Sequence, residues 1–67
     1  MDEADDQLNE TDREIIDALQ EGRETTGSLA DALDKHPQTI RDRLRWLRAW
    51  DYVHYYHEPT GLHELVE

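Results

Sequence analysis

The chain has 67 residues, no cysteine, and a formal charge of -10 from 17 acidic and 7 basic residues. That length supports one small domain, which buries only about 60% of its unfolded surface and gains from dimerising. Disulfides and thiolate sites are excluded. No apolar run approaches the roughly 20 residues of a membrane span and no basic-then-apolar leader is present, so the expected location is cytoplasmic.

Residues 1–7, "MDEADDQ", are acidic without an apolar pattern and are expected to be a disordered tail, leaving 8–67 as the folded domain. A first helix is expected to begin near Asn9 or Thr11, where "TDRE" has the form of a capping box. Ile15, Ile16 and Leu19 then share one face, Leu8 is placed to staple the first turn, and Gly22 suits a left-handed cap. "RETT" reads as a minimal strand or a loop. Thr26 is the expected cap of a second helix, "GSLADALD", with Leu29, Ala30 and Leu33 inward.

Pro37 opens a third helix that runs to about Trp50, because its missing amide donor is harmless at a first helical position. Ile40, Leu44 and Leu47 recur at i, i+4 and i+7 and form its buried stripe. After Asp51 the period becomes extended. "YVHYYH" and "LHELVE" flank the turn residues "EPTG", predicting a β-hairpin. The order is helix, possible strand, helix, three-residue turn, helix, hairpin. This is an α+β (mainly α) winged helix-turn-helix, three helices followed by a β-hairpin wing.

Charge is distributed unevenly along this plan. Residues 35–50 hold five basic residues and one acid, a local charge of +4, while the rest sums to -14. With Ile40, Leu44 and Leu47 inward, a rotation of about 100° per residue points Gln38, Asp42 and Arg45 outward. Arg41 lies to one side of that face, Thr39 and Trp46 to the other, and Arg43 and Arg48 flank the buried stripe. Such a helix suits a major groove: arginine donates two bonds to guanine, glutamine pairs with adenine, and aspartate accepts from cytosine. Asp42 is equally placed to hold Arg41 or Arg45 as a helical neighbour. Pro37–Gln38–Thr39 open a helix N-terminus whose amide donors, from Gln38 and Thr39, suit phosphate, and His36 is placed to cap it or touch a phosphate.

"TGSLADALDKHPQTIRDRLRWLRAWDYV" resembles the helix-turn-helix core of winged-helix transcription regulators. Thr26, Leu29-Ala30, His36 to Thr39, Leu44, Leu47 and Tyr52-Val53 stand in the family's cap, leucine-alanine, turn, leucine and exit positions. "TGLHELVE" is similar to the closing strand of the wing. Size, acidity and pattern most resemble the phage-H-repressor-like proteins of halophilic archaea. The resemblance implies a transcriptional regulator, expected to be a repressor, that binds double-stranded operator DNA as a homodimer. It maps Gln38, Thr39, Arg41, Asp42 and Arg45 onto the recognition surface. Asp51 replaces the usual glycine at the exit, where aspartate tolerates a left-handed conformation. The wing tip "HEPTG" has neither arginine nor lysine, leaving His57 as its nearest DNA candidate.

The acidity and the single lysine suit a surface kept soluble at high salt, where a Debye length of about 3 Å at 1 M suppresses self-repulsion. Of the aromatic residues, Tyr52 or Tyr55 is expected to fill the core together with Val53, and Trp50 to pack inward. Trp46 and Tyr56 are the expected dimer contacts, since aromatics are enriched at interfaces. His54, His57 and His63 lack a zinc spacing and read as surface histidines. No metal, cofactor or small-molecule ligand is expected. With no phosphate loop and no cysteine, an enzyme is not expected. The alternative to a DNA-binding regulator is a winged-helix protein-interaction module that does not touch DNA.

Overall fold

The computed structural model describes residues 8–66; the expected acidic tail lies outside them. Helix α1 spans Glu10–Glu21. Its capping box is Asn9–Asp12 rather than Thr11–Glu14: Asn9 Oδ1 accepts from the Asp12 amide at 2.8 Å, and Asp12 Oδ2 accepts from the Asn9 amide at 3.0 Å. The helix starts at the earlier of the two expected sites, where Asp12 is also held by Arg43. Helix α2 spans Thr26–Leu33 and is capped by Thr25, one residue before the expected cap. Ser28, three residues on, completes that box, its hydroxyl accepting from the Thr25 amide at 2.8 Å. Helix α3 spans Pro37–Ala49.

Gly22 is not a left-handed cap. Its backbone is extended (φ 163°, ψ 173°), because the chain leaves α1 directly into a segment that reaches the wing. There Glu24 forms a single antiparallel bridge with His63, their amides and carbonyls paired at 3.2 and 2.8 Å. "RETT" therefore supplies one bridge residue and no strand. Among the described residues other than glycine, the left-handed positions are Asp34 (φ 54°), which closes α2, and Asp51 (φ 63°), which turns the chain out of α3 as expected. The Asp34 amide reaches the Ala30 and Asp31 carbonyls, so a three-residue turn suffices between α2 and α3.

The wing is an antiparallel pair, β1 (Val53–His57) and β2 (Leu62–Leu65). Val53 faces Leu65, His54 faces Glu64 and Tyr55 faces His63, with a bulge at Tyr56 before His57 meets Leu62. A 3-10 turn at Glu58–Thr60 and Gly61 (φ 73°) close the hairpin. Three helices followed by a two-stranded hairpin make a winged helix-turn-helix.

The core lies where the three helices and the root of the wing meet. Ile15, Leu19, Leu29, Ala30, Ile40, Leu44, Leu47 and Val53 are buried, and Leu8, Leu33, Trp50, Tyr52 and Leu65 pack around them. Each buried leucine or isoleucine removes enough apolar surface for about 2 kcal/mol. Tyr55 does not join this core; it is largely exposed, over Arg48 and against His63.

Candidate nucleic-acid interface

The helical period dictates the candidate surface. With Ile40, Leu44 and Leu47 fully buried, Gln38, Thr39, Arg41, Asp42, Arg45 and Trp46 are exposed on the outer side of α3. His36 begins the helix as its cap, its Nδ1 accepting from the Gln38 amide at 3.0 Å. This bond uses one of the N-terminal donors that lack a partner within the helix.

On the exposed side a short polar chain orders three residues. Arg41 Nη1 donates to Gln38 Oε1 at 2.8 Å, and Gln38 Nε2 donates to Asp42 Oδ1 at 2.9 Å. Asp42 thus holds Arg41 through Gln38, not directly. Arg45 is exposed and makes no ion pair or hydrogen bond with any described residue. A shallow, open groove runs along the helix beside Thr39, Asp42, Arg43, Arg45, Trp46 and Ala49.

Arg43 and Arg48, also expected at the interface, are turned to partners within the protein. Arg43 forms a two-pronged pair with Asp12 of α1, Nε to Oδ1 at 2.7 Å and Nη2 to Oδ2 at 2.8 Å. The Asp12 side chain is fully buried and that of Arg43 is 23% exposed. Hydrogen bonding to Asp12 moves Arg43 further toward its charged form. With the Asn9 amide on Oδ2 as well, both Asp12 oxygens are used. The pair holds α3 to α1.

Arg48 reaches the wing. Its Nη1 lies 2.8 Å from His63 Nε2, and its guanidinium covers the Tyr55 ring at 4.5 Å. His63 is not a surface histidine. It is 1% exposed, because its register opposite Tyr55 turns it inward beneath Arg48. The other two wing histidines have separate partners: His54 Nε2 is 2.8 Å from Glu64 Oε2, and His57 Nδ1 is 2.9 Å from Thr60 Oγ1. Glu64 is held below its ordinary carboxylate range, chiefly by His54 and further by Arg23. Arg23 also stacks 3.8 Å over Tyr56.

Trp46 is 51% exposed, with its ring 5.6 Å from the ring of Trp50, which tucks against the core. Asp12 and His63 are the two structural contributors that sequence reasoning missed. Asp12 sits in an acidic run that looks solvated, and its partner is 31 residues away. For His63, alternation with the apolar Leu65, which packs against the core, was the available signal.

The family model for the bacterial regulatory proteins of the ArsR family matches residues 9–55, more than two thirds of the chain, from the cap of α1 into the wing. The chain belongs to the ArsR family. No curated protein and no solved structure matches it. ArsR-family membership accounts for the fold, three helices and a wing, and identifies the chain as a DNA-binding transcriptional regulator whose partner is double-stranded DNA. It points to regulation rather than to catalysis. Among the described residues of this ArsR-family chain, no helix is long and apolar enough to cross a membrane.

Proposed function

We propose that this ArsR-family regulator reads operator sequence with α3 in the major groove and acts as a repressor. One observation supports the reading most: the outward row Gln38, Arg41, Asp42 and Arg45 projects from a helix whose opposite side is fully buried. Arg45 and Arg41 carry the main contacts to guanine or phosphate. Gln38 and Asp42 set the angle of Arg41 and are themselves able to meet adenine and cytosine edges. Thr39 and His36 lie at the phosphate-facing end of the helix. Arg43 and Arg48 contribute from beneath, Arg43 by holding α3 in place and Arg48 at the junction with the wing.

The functional unit is a homodimer, so that two α3 helices meet two half-sites about 34 Å apart. Trp46 and Tyr56, at 51% and 53% exposure, are the aromatic side chains available for its interface. The acidic remainder, with one lysine in the whole chain, supports adaptation to molar salt in the manner of the phage-H-repressor-like regulators that the sequence resembles. High salt weakens phosphate attraction steeply. Base contacts and dimerisation must then supply much of the affinity.

Selection of genomic fragments in molar KCl, followed by binding of the recovered duplex, tests this. The native protein binds that duplex selectively, and R41A/R45A loses the selectivity while remaining folded. A folded protein that binds no DNA yet captures a protein partner belongs instead to the interaction-module reading.

A further inference from the structure

His63 occupies a position that the DNA-binding reading does not use. Four segments converge on it. Its backbone bridges Glu24 before α2, its ring lies 4.6 Å from Tyr55 of β1, and its two nitrogens reach the wing turn and α3. Nδ1 is 2.7 Å from the Gly61 carbonyl oxygen and Nε2 is 2.8 Å from Arg48 Nη1.

These partners determine the protonation state. A carbonyl oxygen only accepts, so Nδ1 carries the proton and donates it. An arginine only donates, so Nε2 must offer its lone pair. The arrangement exists only for a neutral imidazole with its proton on Nδ1. A proton added to Nε2 removes the acceptor and places two cations in contact at a buried site.

The neighbours provide no relief. Arg48 is the charged group facing the ring from α3, Tyr55 faces it from β1, and Glu24 meets the strand through its backbone. Among the described residues no carboxylate bonds either ring nitrogen. The adjacent Glu64 is directed to His54 and Arg23. Burial is the largest influence on the imidazole and lowers its proton affinity. The Gly61 bond opposes that shift, and the charge of Arg48 adds to it.

We propose that His63 is a positioning residue for DNA binding: as a neutral imidazole it ties the wing to Arg48 of α3, and uptake of one proton releases the wing and weakens the complex. This rests on the proposed docking of α3 on DNA, the wing being the element that the His63–Arg48 contact fixes against that helix. The direction is opposite to the usual one, in which protonating histidines adds positive charge and strengthens attachment to phosphate.

Anisotropy of a labelled duplex, recovered by selection at pH 8, tests the proposal at constant salt between pH 8 and 5. Affinity of the native protein falls with acid, approaching about tenfold per pH unit below the His63 pKa if the complex admits only the neutral ring. H63Q keeps an oxygen acceptor toward Arg48 but takes up no proton. It binds like the native protein at pH 8 and loses most of the acid dependence, whereas H54Q retains it. Parallel profiles for H63Q and the native protein overturn the proposal.

If H63Q does not fold, nitrogen NMR of the native protein decides. A lone-pair-bearing Nε2 at pH 8, and loss of wing amide protection as that nitrogen titrates, support the latch; titration with the wing unchanged overturns it. Absence of DNA binding at pH 8 sinks the DNA reading and this proposal's consequence for DNA. The same NMR titration still reports on the latch, so the two failures are distinguishable.

Discussion

At the scale of the residue, two buried polar side chains matter more than their exposed neighbours. Asp12 supplies one oxygen to a cap and both to a guanidinium, so its removal leaves a charge and an amide without partners at once. D12A is expected to cost about 3 kcal/mol, the lower end for a broken buried pair because Arg43 retains access to water. Urea unfolding at neutral pH measures this; a cost below about 1 kcal/mol would mean that the pair contributes little. His63 gives stability the opposite pH behaviour from a salt-bridged histidine. Its folded-state proton affinity is lowered. Between the unfolded value near 6.5 and the lower folded value, the unfolded chain binds more protons. This contribution is therefore intact above pH 6.5 and declines as the pH drops through that window.

At the scale of the element, helix periodicity was readable and the joints were readable only in part: Pro37, His36 and Asp51 act as expected, while the starts of α1 and α2 and the conformation of Gly22 do not. Ile40, Leu44 and Leu47 are buried as their spacing requires, because a helix with one apolar stripe has one way to face a core. The caps shifted because several side chains near each start can each accept from an amide two or three residues on. Asn9 and Thr25 prevailed over Thr11 and Thr26 through reciprocal bonds with Asp12 and Ser28. Gly22 and Gly61 look alike in sequence but differ in conformation. Gly22 is extended with no atom within 4 Å of an added Cβ, while Gly61 is left-handed. G22A should therefore gain about 0.5 kcal/mol through the unfolded state, and G61A should lose about 1 kcal/mol. Paired thermal melts check the contrast, and an equal effect at both sites would contradict it.

At the scale of the whole molecule, charge and exposed aromatics are expected to set the proposed dimerisation. A chain of charge -10 repels a second copy at low ionic strength, and the repulsion is screened as salt is added. Dimerisation is accordingly expected to strengthen toward molar KCl and to weaken at least tenfold in W46A, as read by sedimentation equilibrium. An unchanged W46A dimer would remove Trp46 from the interface.

The alternation of apolar and polar residues determined three helices and a hairpin. The local run of arginines determined which helix carries positive charge. Both are properties of neighbours a few residues apart, so they survive without knowledge of the fold. Which arginines remain available was settled only by tertiary structure. Arg43 met Asp12 across 31 positions and Arg48 met His63 across 15, while Arg45 was left facing outward. Such pairings depend on how helices and strands are brought together in space, and periodicity within a single element carries no record of that.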